Sequence, residues 1–156
     1  MTMRLTSVHP VSIARKESRA RFDDKAQAIG LTLIPKEERV AHPDPYTSLS
    51  CDPLMVDFDG SGEIAGIELL RFPKDVLSMD LREYISKKHP EPAGLKFEDT
   101  NDLTSADVFS GDSRGFFVHI KGRIAGRFYQ TNENIFFGIT DDARIAEFIY
   151  LEPKSL

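Results

Sequence analysis

At 156 residues, 40% of them hydrophobic, the chain can bury a core as a single domain over residues 1–156, and its lone cysteine, Cys51, excludes a disulfide framework and a Cys-rich zinc site. Its formal net charge of −5 works against sequence-independent binding to DNA or RNA, because such binding depends on Lys and Arg neutralising phosphates. No apolar run is long enough to span a membrane and the first residues lack a signal peptide's apolar stretch, so we expect a cytoplasmic protein without membrane contacts.

The first third of the chain predicts strands separated by irregular connections. Residues 3–16 indicate an edge strand or two short strands, because Pro10 interrupts them. Apolar residues alternate over 28–34, and this strand should end at Pro35. The Pro-rich residues 35–53 are predicted to form an irregular surface connection.

A β-hairpin is predicted next. Residues 54–58 and 63–70 are both rich in apolar and β-branched side chains, which is typical of strands. Gly60 and Gly62 lie between them and can adopt the positive φ angles that tight hairpin turns require.

One short helix is predicted near residues 80–89. Asp80 and Glu83 have the spacing of a capping box, and Pro90 should end the helix. Residues 90–115 are weakly patterned and acidic, so we expect a loop there with at most a helical turn.

The last forty residues return to β patterning and predict a meander. Its strands are expected at 116–120, 123–129, 135–139 and 145–151, with short polar turns between them. The fold class predicted for the whole chain is therefore α+β, mainly antiparallel β, built from hairpin modules with one short helix.

An internal repeat would relate two parts of the chain. A shift of 81 residues aligns Phe58 with Ile139 and Ile64 with Ile145, and both segments contain a strand, a polar turn and a second strand. Duplication of a hairpin module and chance similarity between two hairpins both explain this match. Duplication would give related halves at 19–73 and 116–153, joined by the helix and acidic loop of 74–115.

Residues 19–72 resemble a small bacterial, β-rich domain family of unknown function. The family pairs a YDxxADALYIxL strand with a VDxDxxGxVVGIEIL strand; here Phe22 stands for its Tyr and Gln27 replaces its second acid. The positions that match are Asp23, Ala26, Ala28, Leu33, Val56, Asp57, Asp59, Gly62, Ile64, Gly66, Ile67, Glu68 and Leu70. The resemblance implies a β-rich fold and the hairpin, and it carries no functional residues.

The same hairpin segment also matches the spacing of a calcium-binding EF-hand loop over residues 57–68. The ligand positions would be taken by Asp57, Asp59, Ser61, Glu63 and Glu68, with Gly62 at the sharp turn. An EF-hand needs a helix on each side of the loop, and Pro53 and Pro73 oppose both helices. We therefore favour the hairpin and keep calcium as the alternative.

No pattern in the sequence selects an active site. The four histidines, His9, His42, His89 and His119, lack the spacing of a zinc site, and no Gly-rich phosphate loop or G-x-S-x-G motif is present. We assign no catalytic residue and expect a protein that is not an enzyme. A hydrolase without a recognisable motif remains an alternative.

Small size, acidity and a β-rich domain together favour a non-catalytic protein-binding module. Its most specific version is a bacterial immunity protein or antitoxin that neutralises a basic toxin domain, because an acidic surface speeds association with a basic partner. The partner-binding residues predicted from composition are Glu98, Asp99, Asp102, Asp107 and Asp112. The alternatives are a calcium-binding domain that uses residues 57–68, an uncharacterised structural domain, and the hydrolase; no other cofactor is expected.

Overall fold

The chain folds mainly as antiparallel β-sheet with one short helix, as the sequence predicted. The computed structural model describes residues 2–12, 15, 18–23, 25, 28–40, 47–51, 54–70, 75–76, 80–100, 106–110 and 115–151. The strands are β1 (Thr2–Pro10), β2 (Arg19–Asp23), β3 (Ala28–Thr32), β4 (Thr47–Cys51), β5 (Leu54–Phe58), β6 (Ile64–Leu69), β7 (Asp75–Val76), β8 (Glu91–Thr100), β9 (Ala106–Ser110), β10 (Phe116–Ile120), β11 (Arg127–Asn132), β12 (Ile135–Ile139) and β13 (Ile145–Tyr150). A 3-10 turn covers Lys36–Glu38, and helix α1 covers Leu81–Ser86.

The strands form two sheets that share one core. The five-stranded sheet has the order β2-β3-β6-β5-β4, and the eight-stranded sheet has the order β1-β8-β11-β12-β13-β10-β9-β7. Alternate residues of β5 are buried, and Phe58 packs against Phe97 of the other sheet with ring centroids 5.5 Å apart. One cluster of buried apolar residues contains side chains from both sheets. The predicted single domain requires such a shared core.

The predicted loop at 90–115 was wrong, because it contains the strands β8 and β9. Ala93, Leu95 and Phe97 alternate and are buried, which is the pattern of a strand with one face in the core. Pro92 precedes these residues and Gly94 lies between the first two, and both residue types are depleted in strands, so they concealed the alternation.

Two smaller boundaries also differ from prediction. The connection at 35–53 contains the strand β4, although only its backbone is described. The strand expected at 123–129 begins at Arg127 and continues to Asn132. The β5–β6 hairpin was predicted correctly, and the strand expected at 28–34 is present as Ala28–Thr32.

Helix α1 begins as its sequence indicated. The Asp80 carboxylate accepts hydrogen bonds from the backbone N–H groups of Arg82 and Glu83, at 2.9 and 3.4 Å. Leu81 and Ile85 are buried on the outer face of the eight-stranded sheet, in a second apolar cluster. This packing stabilises a helix too short to form alone.

The two sheets repeat one strand order. Within the eight-stranded sheet, five neighbouring strands follow the order β9-β10-β13-β12-β11, which is the order of the five-stranded sheet with each number raised by seven. The remaining strands β1 and β8 pair with each other in antiparallel fashion. In this comparison β7 has no counterpart among the described strands.

The two hairpins also match in detail. Under the 81-residue shift every Cα pair of β5–β6 falls on a pair of β12–β13, including the irregularity at Asp57/Phe58 and Gly138/Ile139. This shared register supports the proposed duplication, which remains a proposal. The matching units are wider than the predicted halves, since the second includes β8 and β9.

Candidate functional site

The acidic turn of the β5–β6 hairpin is organised around one buried carboxylate, that of Asp59. Its Oδ1 accepts hydrogen bonds from the Ser61 N–H at 2.9 Å, the Ser61 hydroxyl at 2.7 Å and the Glu63 N–H at 3.1 Å. Its Oδ2 accepts from the Val40 N–H at 3.3 Å. The side chain closes its own turn and ties the turn to the chain that follows β3.

The protonation equilibrium of Asp59 reflects these contacts. Burial alone would raise the pKa of its carboxyl, because the charged form loses hydration. The hydrogen bonds from Ser61, Val40 and Glu63 outweigh burial and lower the pKa below its usual value. Asp59 is therefore ionised at neutral pH and its charge is held by the turn.

The remaining candidate calcium ligands are distributed along the hairpin. Asp57 is partly exposed on β5 opposite Gly66, Glu68 is exposed on β6, and Glu63 lies where the turn meets β8. In the part of the chain that the structure describes, no three His, Cys, Asp or Glu side chains are grouped to hold a metal ion. The hydrogen bonds of Asp59 explain the acid in this turn without a metal.

The matching turn of the β12–β13 hairpin has a similar set of hydrogen bonds, with a hydroxyl where the first turn has a carboxylate. Thr140 takes the position of Asp59, and its hydroxyl donates to Asp142 and accepts from the Arg144 N–H at 2.9 Å. Gly62 and Ala143, equivalent under the shift, both have positive φ, +88° and +68°. The two turns share one feature, a side-chain oxygen that accepts a hydrogen bond from a backbone N–H group.

The acids predicted to bind a partner do not form one described patch. Glu98 is exposed on β8 and Asp107 is exposed on β9, where it lies 3.7 Å from the Lys121 ammonium. Four strands separate β8 from β9 in the sheet, a distance of about 24 Å. Of Asp99 only the backbone is described, and Asp102 and Asp112 lie outside the described residues.

A buried acid that sequence reasoning missed lies behind helix α1. Glu147 is 8% exposed, and the Tyr84 hydroxyl donates to both of its carboxylate oxygens, at 2.8 and 3.1 Å. Burial and this bond raise the pKa of the Tyr84 phenol far above its usual value. A lone acid within the apolar run Ile145–Tyr150 was the available signal. The Tyr84 hydroxyl gives the buried carboxyl group of Glu147 a hydrogen-bond partner, and this contact holds the helix on the sheet.

The outer edge of β2 differs from its counterpart in the other half. On the equivalent strand β9, the edge is paired in parallel with β7, through Asp75 opposite Phe109 and Val76 opposite Ser110. β2 ends its sheet, and among the described strands none pairs with its outer side. The other end of this sheet, β4, runs close to β1.

The surface at the β2 edge is basic and includes a hollow. Arg19 and Arg21 are exposed on alternate positions of the strand, with Lys25 shortly after. A cavity of about 270 Å³ beside β2 is lined by Arg19, Thr32, Pro35, Lys36 and Glu37. The edge therefore combines a strand that none of the described strands pairs with on its outer side and a cavity whose described lining includes Arg19, Lys36 and Glu37.

No protein-family model and no curated protein matches the chain. No helix among the described residues is long and apolar enough to cross a membrane.

Proposed function

We propose that this chain is a non-catalytic protein-binding module and that a partner adds an extended segment to the outer edge of β2. The observation that carries the proposal is a difference between the two sheets: β7 pairs with β9, whereas none of the described strands pairs with the outer side of β2. An exposed strand edge pairs readily with another chain, since its N–H and C=O groups lack partners.

Charge indicates the kind of segment that would fit. Arg19 and Arg21 extend from the exposed strand, and the adjacent cavity contains Lys36 as a second source of positive charge. Main-chain hydrogen bonds would supply affinity, and acidic side chains in the cavity would supply specificity. The proposed ligand is therefore an extended, acidic segment of another protein.

A purification experiment tests this proposal. The tagged full chain is expressed from its own genomic locus, and the proteins retained by the wild type are compared with those retained by the Arg19→Glu/Arg21→Glu variant. Arg127→Glu, an exposed cation on β11, is the matched control. We expect one partner that the control retains and the double variant loses, with amides of β2 protected from hydrogen exchange in the complex.

Two results would refute the edge as the binding site. One is a wild-type chain that retains no protein, and the other is a partner that binds the double variant as well as the wild type. Circular dichroism of each variant would show that the sheet remains folded.

The immunity protein or antitoxin is the second candidate, and the net charge of −5 favours it. A basic toxin domain would be attracted to the acidic surface, which raises association rates. In this case the retained partner is basic, and Glu98→Lys or Asp107→Lys weakens its binding. The Arg19→Glu/Arg21→Glu variant then binds the partner as well as the wild type does. The same set of variants thus separates the two versions.

A further inference from the structure

A cleft lies between the two sheets, away from the β2 edge. Its volume is about 370 Å³, which falls within the range of small-molecule sites. The turn of the β5–β6 hairpin forms one wall, through the bridge between Glu63 and Lys96. The opposite wall comes from β11 and from Arg15, whose N–H donates to the Thr131 carbonyl at 3.1 Å.

The walls are held in place by hydrogen bonds between the sheets. The Asn132 side chain, 1% exposed, donates to the Leu33 carbonyl at 3.0 Å. The Phe97 N–H donates to the Gly62 carbonyl at 2.8 Å on the other side. The cleft is therefore built into the junction of the two halves and does not depend on a mobile surface side chain.

The floor of the cleft is apolar. Ile34, Ile64, Ala93 and Leu95 line it, and each of these residues is at most 5% exposed. Such a floor takes up the apolar body of a ligand, because water is released from both surfaces.

One polar group behind the cleft wall lacks a partner among the described residues. The Thr131 hydroxyl oxygen is buried and, among the described residues, it is the buried side-chain oxygen or nitrogen without a hydrogen-bond partner. Leaving a buried hydroxyl unpaired is unfavourable, so native proteins rarely do so without reason. Because this oxygen has almost no accessible surface, it belongs to the packing behind the cleft wall and does not face a ligand in the cleft.

Among the described side chains at the cleft, cations outnumber carboxylates. Arg15 and Lys96 line the cleft, and Glu63 is the carboxylate among its described lining residues. Arg15 is also 3.1 Å from Glu38. Both side chains of that pair are about half exposed, and the guanidinium retains donors for a second anion.

We propose that this cleft binds a small molecule that carries one carboxylate on an apolar body. The apolar floor accommodates the body, and the carboxylate lies against Lys96 and Arg15. The site is independent of the β2 edge, so either proposal can fail without the other.

The test uses octanoate as the probe, with 1-octanol as its neutral analogue, and calorimetry on the full chain. We expect octanoate to bind at least about tenfold more tightly than 1-octanol, because charge-assisted hydrogen bonds exceed neutral ones. The Lys96→Met variant should weaken octanoate binding at least about fivefold. Lys121→Met, an exposed cation on a turn that does not line the cleft, should leave it unchanged.

The Thr131→Val variant is a control for packing behind the cleft wall. Because the Thr131 hydroxyl is buried, the variant should bind octanoate like the wild type while its thermal midpoint stays equal or rises. Three results would overturn the proposal: no octanoate binding at millimolar concentration, equal binding of octanoate and 1-octanol, and a Lys96→Met variant that binds like the wild type. Thermal unfolding of every variant confirms that it is folded.

Discussion

Replacing Asp59 with Asn should test whether the acidic turn is held by its own carboxylate. The substitution preserves the size of the side chain and removes its charge. The Oδ1 atom could still accept from Ser61 and Glu63, whereas an amide NH₂ in place of Oδ2 would face the Val40 N–H, 3.3 Å away in the native turn. Two donors would then oppose each other in a partly buried site.

The size of the effect follows from these contacts. A buried donor left without an acceptor costs about 1–3 kcal/mol, and hydrogen bonds to a charged acceptor are stronger than bonds to a neutral one. We expect Asp59→Asn to lower the free energy of unfolding by about 2–3 kcal/mol at neutral pH. Asp107→Asn, which affects an exposed acid 3.7 Å from Lys121, should cost less than about 0.5 kcal/mol.

The pH dependence supplies a second measurement. The pKa of Asp59 is lowered in the folded state, so its carboxylate stabilises the fold above the usual value of 3.8 and loses that effect as the pH falls further. Urea unfolding of both variants and of the wild type would be followed by circular dichroism at about pH 7 and about pH 3. The difference in the free energy of unfolding between the wild type and Asp59→Asn should be smaller at the lower pH.

The reasoning would be refuted by either of two outcomes. One is a cost for Asp59→Asn no larger than that for Asp107→Asn. The other is a cost that stays the same at both pH values, since a contribution that depends on the carboxylate's charge must diminish once the carboxylate is protonated.

Three further predictions follow from the turns and the helix. Gly62→Ala should lower the free energy of unfolding in urea by at least about 2 kcal/mol, because Gly62 has a φ of +88° and a Cβ there would lie 2.3 Å from a β8 carbonyl. Ala143→Gly at the equivalent position should raise the free energy of unfolding by about 1 kcal/mol, because glycine adopts positive φ without strain. Equal effects at the two sites would contradict this. Tyr84→Phe should lower the thermal midpoint, because it removes the hydroxyl that donates to the buried Glu147. In the wild type, absorbance titration should show that the Tyr84 phenol is still protonated well above pH 10, the usual pKa of tyrosine. Calorimetry with millimolar calcium should give no binding heat, because Asp59 is already hydrogen-bonded, and a saturable heat would instead restore the calcium alternative.

Local patterns predicted the parts of the fold that depend on nearby residues. The hairpin turn needs glycine at positive φ, and Gly62 supplied that signal. The capping carboxylate of Asp80 marked the start of α1. These features are encoded within a few residues, so sequence alone reveals them.

The features that sequence could not predict depend on residues far apart in the chain. β8 was missed because Pro92 and Gly94 interrupt a pattern that only its burial against the other sheet makes clear. The cleft brings together Arg15, Lys96 and Thr131, which are separated by tens of residues. Spacing in the sequence carries no information about such groupings, and Glu98 and Asp107, both selected by composition, lie on strands that four others separate.

The pairing of β1 with β8 has a consequence for how the chain reaches this fold. Pro10 pairs with Ala93 and Thr2 with Thr100, so 83 to 98 residues separate the partners. Closing so long a loop is entropically costly, whereas each hairpin can form from adjacent segments within microseconds. β1 must therefore wait, during synthesis on the ribosome, until β8 has emerged. The β5–β6 hairpin emerges before β8 and can order first, so the docking of β1 is a later step than the folding of the strands that lie between the two partners.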